Sequence, residues 1–451
     1  MTSNNICVKL RNLIAHSAFR IVAALLFAAA LQARATEYWV ATDGADTNPG
    51  TSDAPFATLE YALSQKAQNG DTVKVRTGTY TIPAQSAYNT PAYNLTNAVS
   101  VIGVDGPENT IFAPPAANKN IHVFRVNNAN ATLSGVTVTN AAFTFKADPY
   151  YRTWSPQIYV LQGLATNCVV RDITAWGHPA GITASGGSVV DCVVNNVTVQ
   201  KDYAKIGIQV TGPAIVRGCR VIGCTPKGNP YFIVSGANAV VSDCEVARCS
   251  GGASILSLTG AGALVSNCIV TNNSGTASVV SVNNETATLR NCLVAGNSTS
   301  GKTSVGGIYL SNGTVENCTV ASNRNTNAGA TCAGVSLAAS ADVVLRNVIS
   351  WGNTLSDGST GTAANFKDAG ADEGAAAQGT VETCLYDQDP LFKNAANGDY
   401  SLASGSPARD AGTNQEWMKN AFDLAGNKRR AGRVDIGCYE SQSASFFIIV
   451  R

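Results

Sequence analysis

This chain of 451 residues has little charge: 14% of its residues are Asp, Glu, Lys or Arg, with three His and two Met. It contains no basic run, and without residues 1–35 the balance is 27 Lys+Arg against 30 Asp+Glu. Such a surface lacks the electrostatic footprint of a nucleic-acid or anionic-lipid binder. Past the leader only His122 and His178 remain, and the CxxxxC spacings are not those of a zinc finger, which argues against a Cys/His metal centre. Beyond residue 35 no apolar run is long enough to span a membrane. What is abundant is Gly, Ala, Ser, Thr and Asn beside 45% apolar residues, the composition of a turn-rich β structure with an adequate core.

A short phrase recurs: aliphatic, free, Asn/Asp/Gly, Cys, free, aliphatic. It reads VVDCVV at Val189–Val194, VRGCRV at Val216–Val221, VSDCEV at Val241–Val246, VSNCIV at Val265–Val270, LRNCLV at Leu289–Val294 and VENCTV at Val315–Val320. The Cys positions 192, 219, 244, 268, 292 and 318 give a period of 24 to 27 residues, the signature of a solenoid whose repeats bury their apolar faces only by stacking. Val136, Ile173, Val348 and Cys384 extend the column to ten coils. The residue before it is Gly, Asn or Asp in nine of ten coils, Thr383 being the exception, so a left-handed bend is predicted there. Alternating segments such as Ile208–Gly212, Phe232–Gly236, Leu256–Gly260 and Ile308–Asn312 predict a preceding strand that ends in a turn. The predicted fold is therefore all-β: a parallel β-helix of about ten or more coils with three short strands in each.

The Cys column reads as core packing. Cys224 and Cys249 lie five residues past it on adjacent coils, within disulfide reach, which leaves a bridge between them open. Residues 1–35 carry Lys9, Arg11 and Arg20, the apolar run Ile21–Leu31 and an A-x-A end, the pattern of a secretory signal peptide. Residues 36–120 are expected to form the N-terminal cap and first coils, with an amphipathic helix over Phe56–Ala67 and a strand over Thr72–Val75. The repeats occupy 121–386, and 387–445 form a capping region of different character. The tail 446–451 (FFIIVR) is too short to cross a membrane and is expected to be a final strand, with a sorting signal as the alternative.

The pieces Asn48-Pro49-Gly50-Thr51, Ala54-Pro55-Phe56 and Gly70-Asp71-Thr72-Val73 leading to Gly78-Thr79-Tyr80 resemble the opening of bacterial secreted right-handed parallel β-helix proteins of the pectate-lyase-like superfamily. The Asn-Cys rungs are similar to those of polymorphic outer-membrane proteins. Asp389-Pro390-Leu391-Phe392, Gly398-Asp399-Tyr400, Ser406-Pro407-Ala408, Asp410-Ala411-Gly412 and Asp435-Ile436-Gly437 resemble the choice-of-anchor Q region of exported β-helix proteins. The resemblance implies a right-handed coil and a secreted or outer-cell-surface location. For enzymes of this fold it also implies a groove on the first sheet, lined by carboxylates, with an Arg or Lys base and often a calcium ion.

The outward column expected on that sheet, Val160, Thr183, Gln209, Ile233, Ser257, Ser281, Tyr309 and Ser336, holds neither carboxylate nor cation. The next column, from Gln162 to Ala338, holds none either, which counts against a lyase-like centre. The long third turns of the N-terminal coils gather Tyr150, Tyr151, Trp154, Trp176, Tyr203, Lys227 and Tyr231 as candidate ligand-binding residues, since aromatic faces among cations and amides suit sugar rings. Arg125, Arg152, His178, Lys201, Asp202 and Lys205 are the candidates should catalysis occur. The favoured reading is an exported or cell-surface protein that binds extracellular polysaccharide, a surface glycan or another surface through the long turns of its N-terminal coils, without chemistry and without a cofactor. The alternatives are a polysaccharide lyase or glycoside hydrolase, for which calcium would be admissible, and a structural adhesin stalk.

Overall fold

The computed structural model describes residues 35–83, 90–115, 122–139, 156–175, 180–199, 206–225, 231–252, 254–340, 342–369, 379–430 and 432–441. Residues 1–34 and 442–451 lie outside them. The chain winds as a parallel β-helix with three strands per coil. The first sheet begins with Tyr93–Leu95, Phe124–Val126, Ile158–Val160, Ala180–Ala184, Ile206–Val210 and Phe232–Val234 and ends with Phe366–Asp368. The second runs from Glu37–Val40 through strands such as Ile215–Arg217 to Thr380–Glu382. The third contains eleven strands, from Gly78–Thr81 to Ile349–Trp351. Stacking is in register, so Ile208 pairs with Ile182 in one neighbouring coil and Phe232 in the other, and inward side chains form continuous files.

The path inward is set by two bends per coil. All ten residues predicted to bend do so with positive φ, among them Asp191 at 52°, Asn267 at 53°, Asn317 at 50° and even Thr383 at 49°. Between Val216 and Cys219 one residue faces out and one bends, so two side chains three apart both point inward, which an unbroken strand cannot do. The same device recurs after the third strand, where Asp172, Asn196, Gly223, Arg248, Asn272, Gly296, Ser322 and Gly352 also have positive φ. This second bend corrects one alignment. Val170-Arg171-Asp172-Ile173 belongs to it, because Ile173 pairs with Val197, whereas Cys168, after Asn167 at φ 49°, occupies the Cys column. The two phrases look alike because they solve the same steric problem.

The Cys column is buried from Cys168 to Cys318, and Cys224 and Cys249 are buried free thiols. Each column thiol donates to the carbonyl two residues back, as Cys244 does to Ser242 at 3.1 Å. Several also accept the backbone N–H of the preceding coil: Cys192 N–H reaches Cys219 Sγ at 3.5 Å and Cys268 N–H reaches Cys292 Sγ at 3.4 Å. Behind the second bend the file begins with Ile173, Val197, Cys224 and Cys249. It then changes to Asn273, Asn297, Asn323 and Asn353, all buried. In this ladder Asn297 N–H donates to Asn323 Oδ1 at 3.0 Å, and Asn323 N–H donates to Asn353 Oδ1 at 3.0 Å. Asn323 Nδ2 donates to Asn353 Oδ1 at 3.0 Å and to Val294 O at 2.9 Å.

At the N-terminal end the helix is shorter than expected, Leu59–Tyr61 continued by the wider turn Ala62–Lys66. Phe56 cannot be helical, because its backbone is paired to the first strand through Phe56 N–H to Trp39 O at 2.8 Å and Ala41 N–H to Phe56 O at 2.9 Å. Asp46 accepts the Ala57 and Thr58 N–H groups, while Phe56, Leu59 and Ala62 close the core.

Residues 387–441 lie along the outer face of the third sheet. Tyr400 and Cys438 pack on Leu293, Ala295 and Ala321; Leu402, Ala408 and Ile436 pack on Ile349 and Leu385. Beside them, on the second sheet, Arg290, Glu316, Arg346 and Glu382 form a row of alternating charge with contacts of 2.8, 3.8 and 2.8 Å. Trp417 lies 4.3 Å from the Arg290 guanidinium. Within the segment Arg429 is fully buried, donating to Asp435 O at 3.0 Å and Gly437 O at 2.5 Å, with Glu440 Oε2 3.7 Å away. Among the described residues no helix is long and apolar enough to cross a membrane.

Two outcomes are expected. Replacing Asn323 with Leu strips Asn297 of two interactions inside the core and should cost about 2–4 kcal/mol in denaturant unfolding, against about 1 kcal/mol for Cys268→Ala. Burial pushes the Glu440 carboxyl up to about 8 and lowers the neighbouring Arg429. A raised carboxyl stabilises the fold below the ordinary carboxylate range, and that stabilisation is lost as pH climbs through about 8. The thermal midpoint should therefore fall as pH rises from the ordinary carboxylate range to about 8 and level off above it, and Glu440→Gln should flatten that descent; an unchanged slope in the variant would exclude Glu440 as its source.

Candidate functional site

The outer face of the first sheet is built by alternation. Ile158, Val160, Ile182, Ala184, Ile208 and Val210 point into the core, so the residues between them point out. The register sets Asn94, Arg125, Tyr159, Thr183, Gln209 and Ile233 in one file, followed by Ser257, Ser281, Tyr309, Ser336 and Lys367. The expected column is thus corrected at its start. Val160 is fully buried and Tyr159 takes the outward place, because the strand begins one residue earlier than the spacing suggested. The column is also not free of cations, since Arg125 and Lys367 stand near its two ends.

Arg125 and Tyr159 are half-buried side chains on adjacent rungs. The Tyr159 hydroxyl lies 3.4 Å from Ser185 Oγ and accepts its hydrogen bond. Deeper in the file Thr183 and Gln209 are buried, and neither Thr183 Oγ1 nor Gln209 Oε1 has a hydrogen-bond partner. A buried polar atom left in that state costs about 1–3 kcal/mol, which a ligand hydroxyl or a water molecule would relieve.

Of the residues singled out from sequence, Tyr150, Tyr151, Arg152, Trp154, Trp176, His178, Lys201, Asp202, Tyr203, Lys205 and Lys227 lie outside the described residues. In sequence they fall between third-sheet strands and the first-sheet strands that begin at Ile158, Ala180, Ile206 and Phe232. Arg125 is placed on the floor just described. Tyr231 is a correction: it is fully buried, its hydroxyl donates to Gly251 O at 2.8 Å, and burial pushes its phenol up, so it packs the turn and offers no face to a ligand. The sequence reading missed Tyr159 and Asn94, which the alternation Ile158-Tyr159-Val160 and Tyr93-Asn94-Leu95 would have revealed. Among the described residues no three metal-ligating side chains converge.

A stacked three-sheet barrel with in-register polar files defines a parallel β-helix protein. A sequence model described as right-handed β-helix region matches residues 124–310 and 207–371, more than half of the chain, and the chain belongs to that family. A segment of 153 residues is 30% identical to the uncharacterized protein YwoF of Bacillus subtilis strain 168, covering 33% of this chain and 26% of that protein. The chain thus spans about a quarter of that curated relative. Solved structures similar to this fold include pectate lyase Pel9A, with TM-score 0.48 and 14% identity over 90% of this chain and 96% of that one. A rhamnogalacturonan lyase is similar with TM-score 0.40 and 17% identity over 69% and 87%.

The position of Tyr231 gives a direct check. Tyr231→Phe should lower stability in denaturant unfolding by about 1 kcal/mol, the worth of one hydrogen bond; unchanged stability would place the Tyr231 hydroxyl outside the packed turn.

Proposed function

We propose that this is an exported protein that holds an extended polysaccharide along the outer face of its first sheet, at the N-terminal coils, without cleaving it. The observation that carries this reading is the file Asn94–Arg125–Tyr159, which sets an exposed amide, a half-buried guanidinium and a half-buried phenol on consecutive rungs. Rungs repeat roughly every 4.8 Å, close to the length of one pyranose unit, so successive sugars meet successive side chains. Such groups donate to and accept from hydroxyls, and the Tyr159 ring offers a surface to C–H faces. The file contains no carboxylate, whereas glycoside hydrolysis uses a pair of them. Export is supported by the pattern of residues 1–35 and by the likeness of residues 389–437 to the choice-of-anchor Q region.

Affinity electrophoresis against a panel of neutral and uronate polysaccharides, paired with assays for new reducing ends and for unsaturated uronate, tests both halves. Retardation by at least one polymer is expected, weakened about tenfold in Arg125→Ala, or about 1.4 kcal/mol, with no cleavage product. Unsaturated product or new reducing ends would replace this reading with a lyase or a hydrolase, and retention unaffected by Arg125→Ala would remove the first-sheet face from it.

A further inference from the structure

A second constellation stands on a different face. The second sheet opens, at its N-terminal end, into a cleft of about 630 Å³ lined chiefly by Trp39, Asp43, Arg76, Thr77, Val104 and Asp105. Its geometry follows from the first three second-sheet strands. Val40 and Val75 face the core, so Trp39 and its register partner Lys74 face out, and Arg76 follows two residues after Lys74 on the same side. The strand Ser100–Gly103 leads directly into Val104 and Asp105, which form the opposite wall.

The walls are held by secondary contacts. The Trp39 indole Nε1–H donates to Glu37 Oε1 at 2.8 Å, and Glu37 Oε2 pairs with Lys74 Nζ at 2.6 Å. The Lys74 ammonium and Arg76 guanidinium lie 5.0 and 5.3 Å from the Trp39 ring centre. Arg76 donates to Ser52 O, and Asp105 Oδ2 accepts from Thr77 N–H at 3.2 Å and Thr77 Oγ1 at 2.7 Å. Nevertheless the cleft is open: Asp43, Thr77 and Asp105 are exposed, Trp39 and Arg76 are half-buried, and Val104 is 38% exposed. An indole held at its edge by Glu37 thus stands beside the exposed carboxylates of Asp43 and Asp105, the Arg76 guanidinium and the exposed Val104 side chain, an apolar wall and polar groups within one cleft.

Charge decides what fits. Lys74 and Glu37 neutralise each other, leaving Arg76 against Asp43 and Asp105, a net of one negative charge over the cleft. A uronate, sulfate or phosphate would meet two carboxylates, whereas the hydroxyls of an uncharged sugar can donate to both and accept from Arg76 while a ring face lies on Trp39. We infer that this cleft is a second carbohydrate site, specific for an uncharged hexopyranose segment. It lies outside the first-sheet file proposed above, and neither site requires the other.

The test uses the full chain and named probes: cellohexaose, maltohexaose, mannohexaose and hexagalacturonate, titrated by calorimetry and by tryptophan fluorescence. At least one neutral hexaose should bind and quench fluorescence, and hexagalacturonate should not displace it. Asp43→Asn, an exposed isosteric change, and Trp39→Ala should each weaken that binding tenfold or more, with unchanged circular dichroism for Asp43→Asn, while Arg125→Ala leaves it intact. The inference is overturned if no neutral hexaose binds, if Asp43→Asn and Trp39→Ala bind like the parent chain, or if hexagalacturonate competes. Loss of the binding in Arg125→Ala with retention in Asp43→Asn would assign the sugar to the first sheet alone and would also overturn it.

Discussion

At eight of the left-handed bends the next backbone N–H is turned into the barrel and finds its acceptor in a side chain one coil further on, and the stacking of these coils depends on it. A buried N–H without an acceptor would cost about 1–3 kcal/mol, and the bends come twice in each coil. The protein answers with the side chain one coil further on, a thiol at Cys219, Cys292 and Cys318 and an amide at Asn273, Asn297, Asn323, Asn353 and Asn365. Column identity is thus a hydrogen-bond requirement as much as a volume requirement. Outside this acceptor set, burial pushes the thiols of Cys332, Cys384 and Cys438 up to about 12.

The outer surface is organised by the same in-register stacking, with different consequences on each face. On the third sheet, Leu293, Ala295, Ala321 and Ile349 make an apolar strip that the C-terminal segment covers. On the second, the strip at the same coils is charged, and Glu316 is nearly enclosed between Arg290 and Arg346. Asn347 joins the two systems: it belongs to the first bend column, and its side chain accepts from Thr413 N–H at 2.7 Å and donates to Thr413 O at 2.9 Å. The polar first-sheet file and the Trp39 cleft lie at the N-terminal coils.

Much of this was legible in the sequence. The Asn/Asp/Gly-Cys phrase revealed the fold class, the period and the first bend because a left-handed residue is restricted to few types and a solenoid repeats the restriction. The second bend was harder to see, since Arg248 and Ser322 occupy it as well as Asn and Gly, and its interior file changes from aliphatic to thiol to amide. That ambiguity put Ile173 in the wrong file and passed over Cys168. Tyr159 was missed for a one-residue reason of parity, and Tyr231 was misjudged because a turn aromatic beside Lys227 and Asn229 looks the same in sequence whether it faces water or core. The Trp39 cleft depends on three strands separated by long connections, and no local pattern joins Trp39 to Asp43, Arg76 and Asp105.

The amide ladder carries one further implication. Each of its carboxamides is oriented the same way along the axis, taking a hydrogen from the coil before and giving one to the coil after. Cys249 is the junction: its N–H already reaches Asn273 Oδ1 at 3.0 Å, but its own side chain cannot pass an amide hydrogen onward. Coils are therefore interchangeable only among neighbours of their own kind. A unit moved from the amide half into the thiol half would keep the acceptor role that Asn273 plays toward Cys249 but would aim an amide hydrogen at a following coil that has no side-chain oxygen to take it, so duplication is favoured within each block.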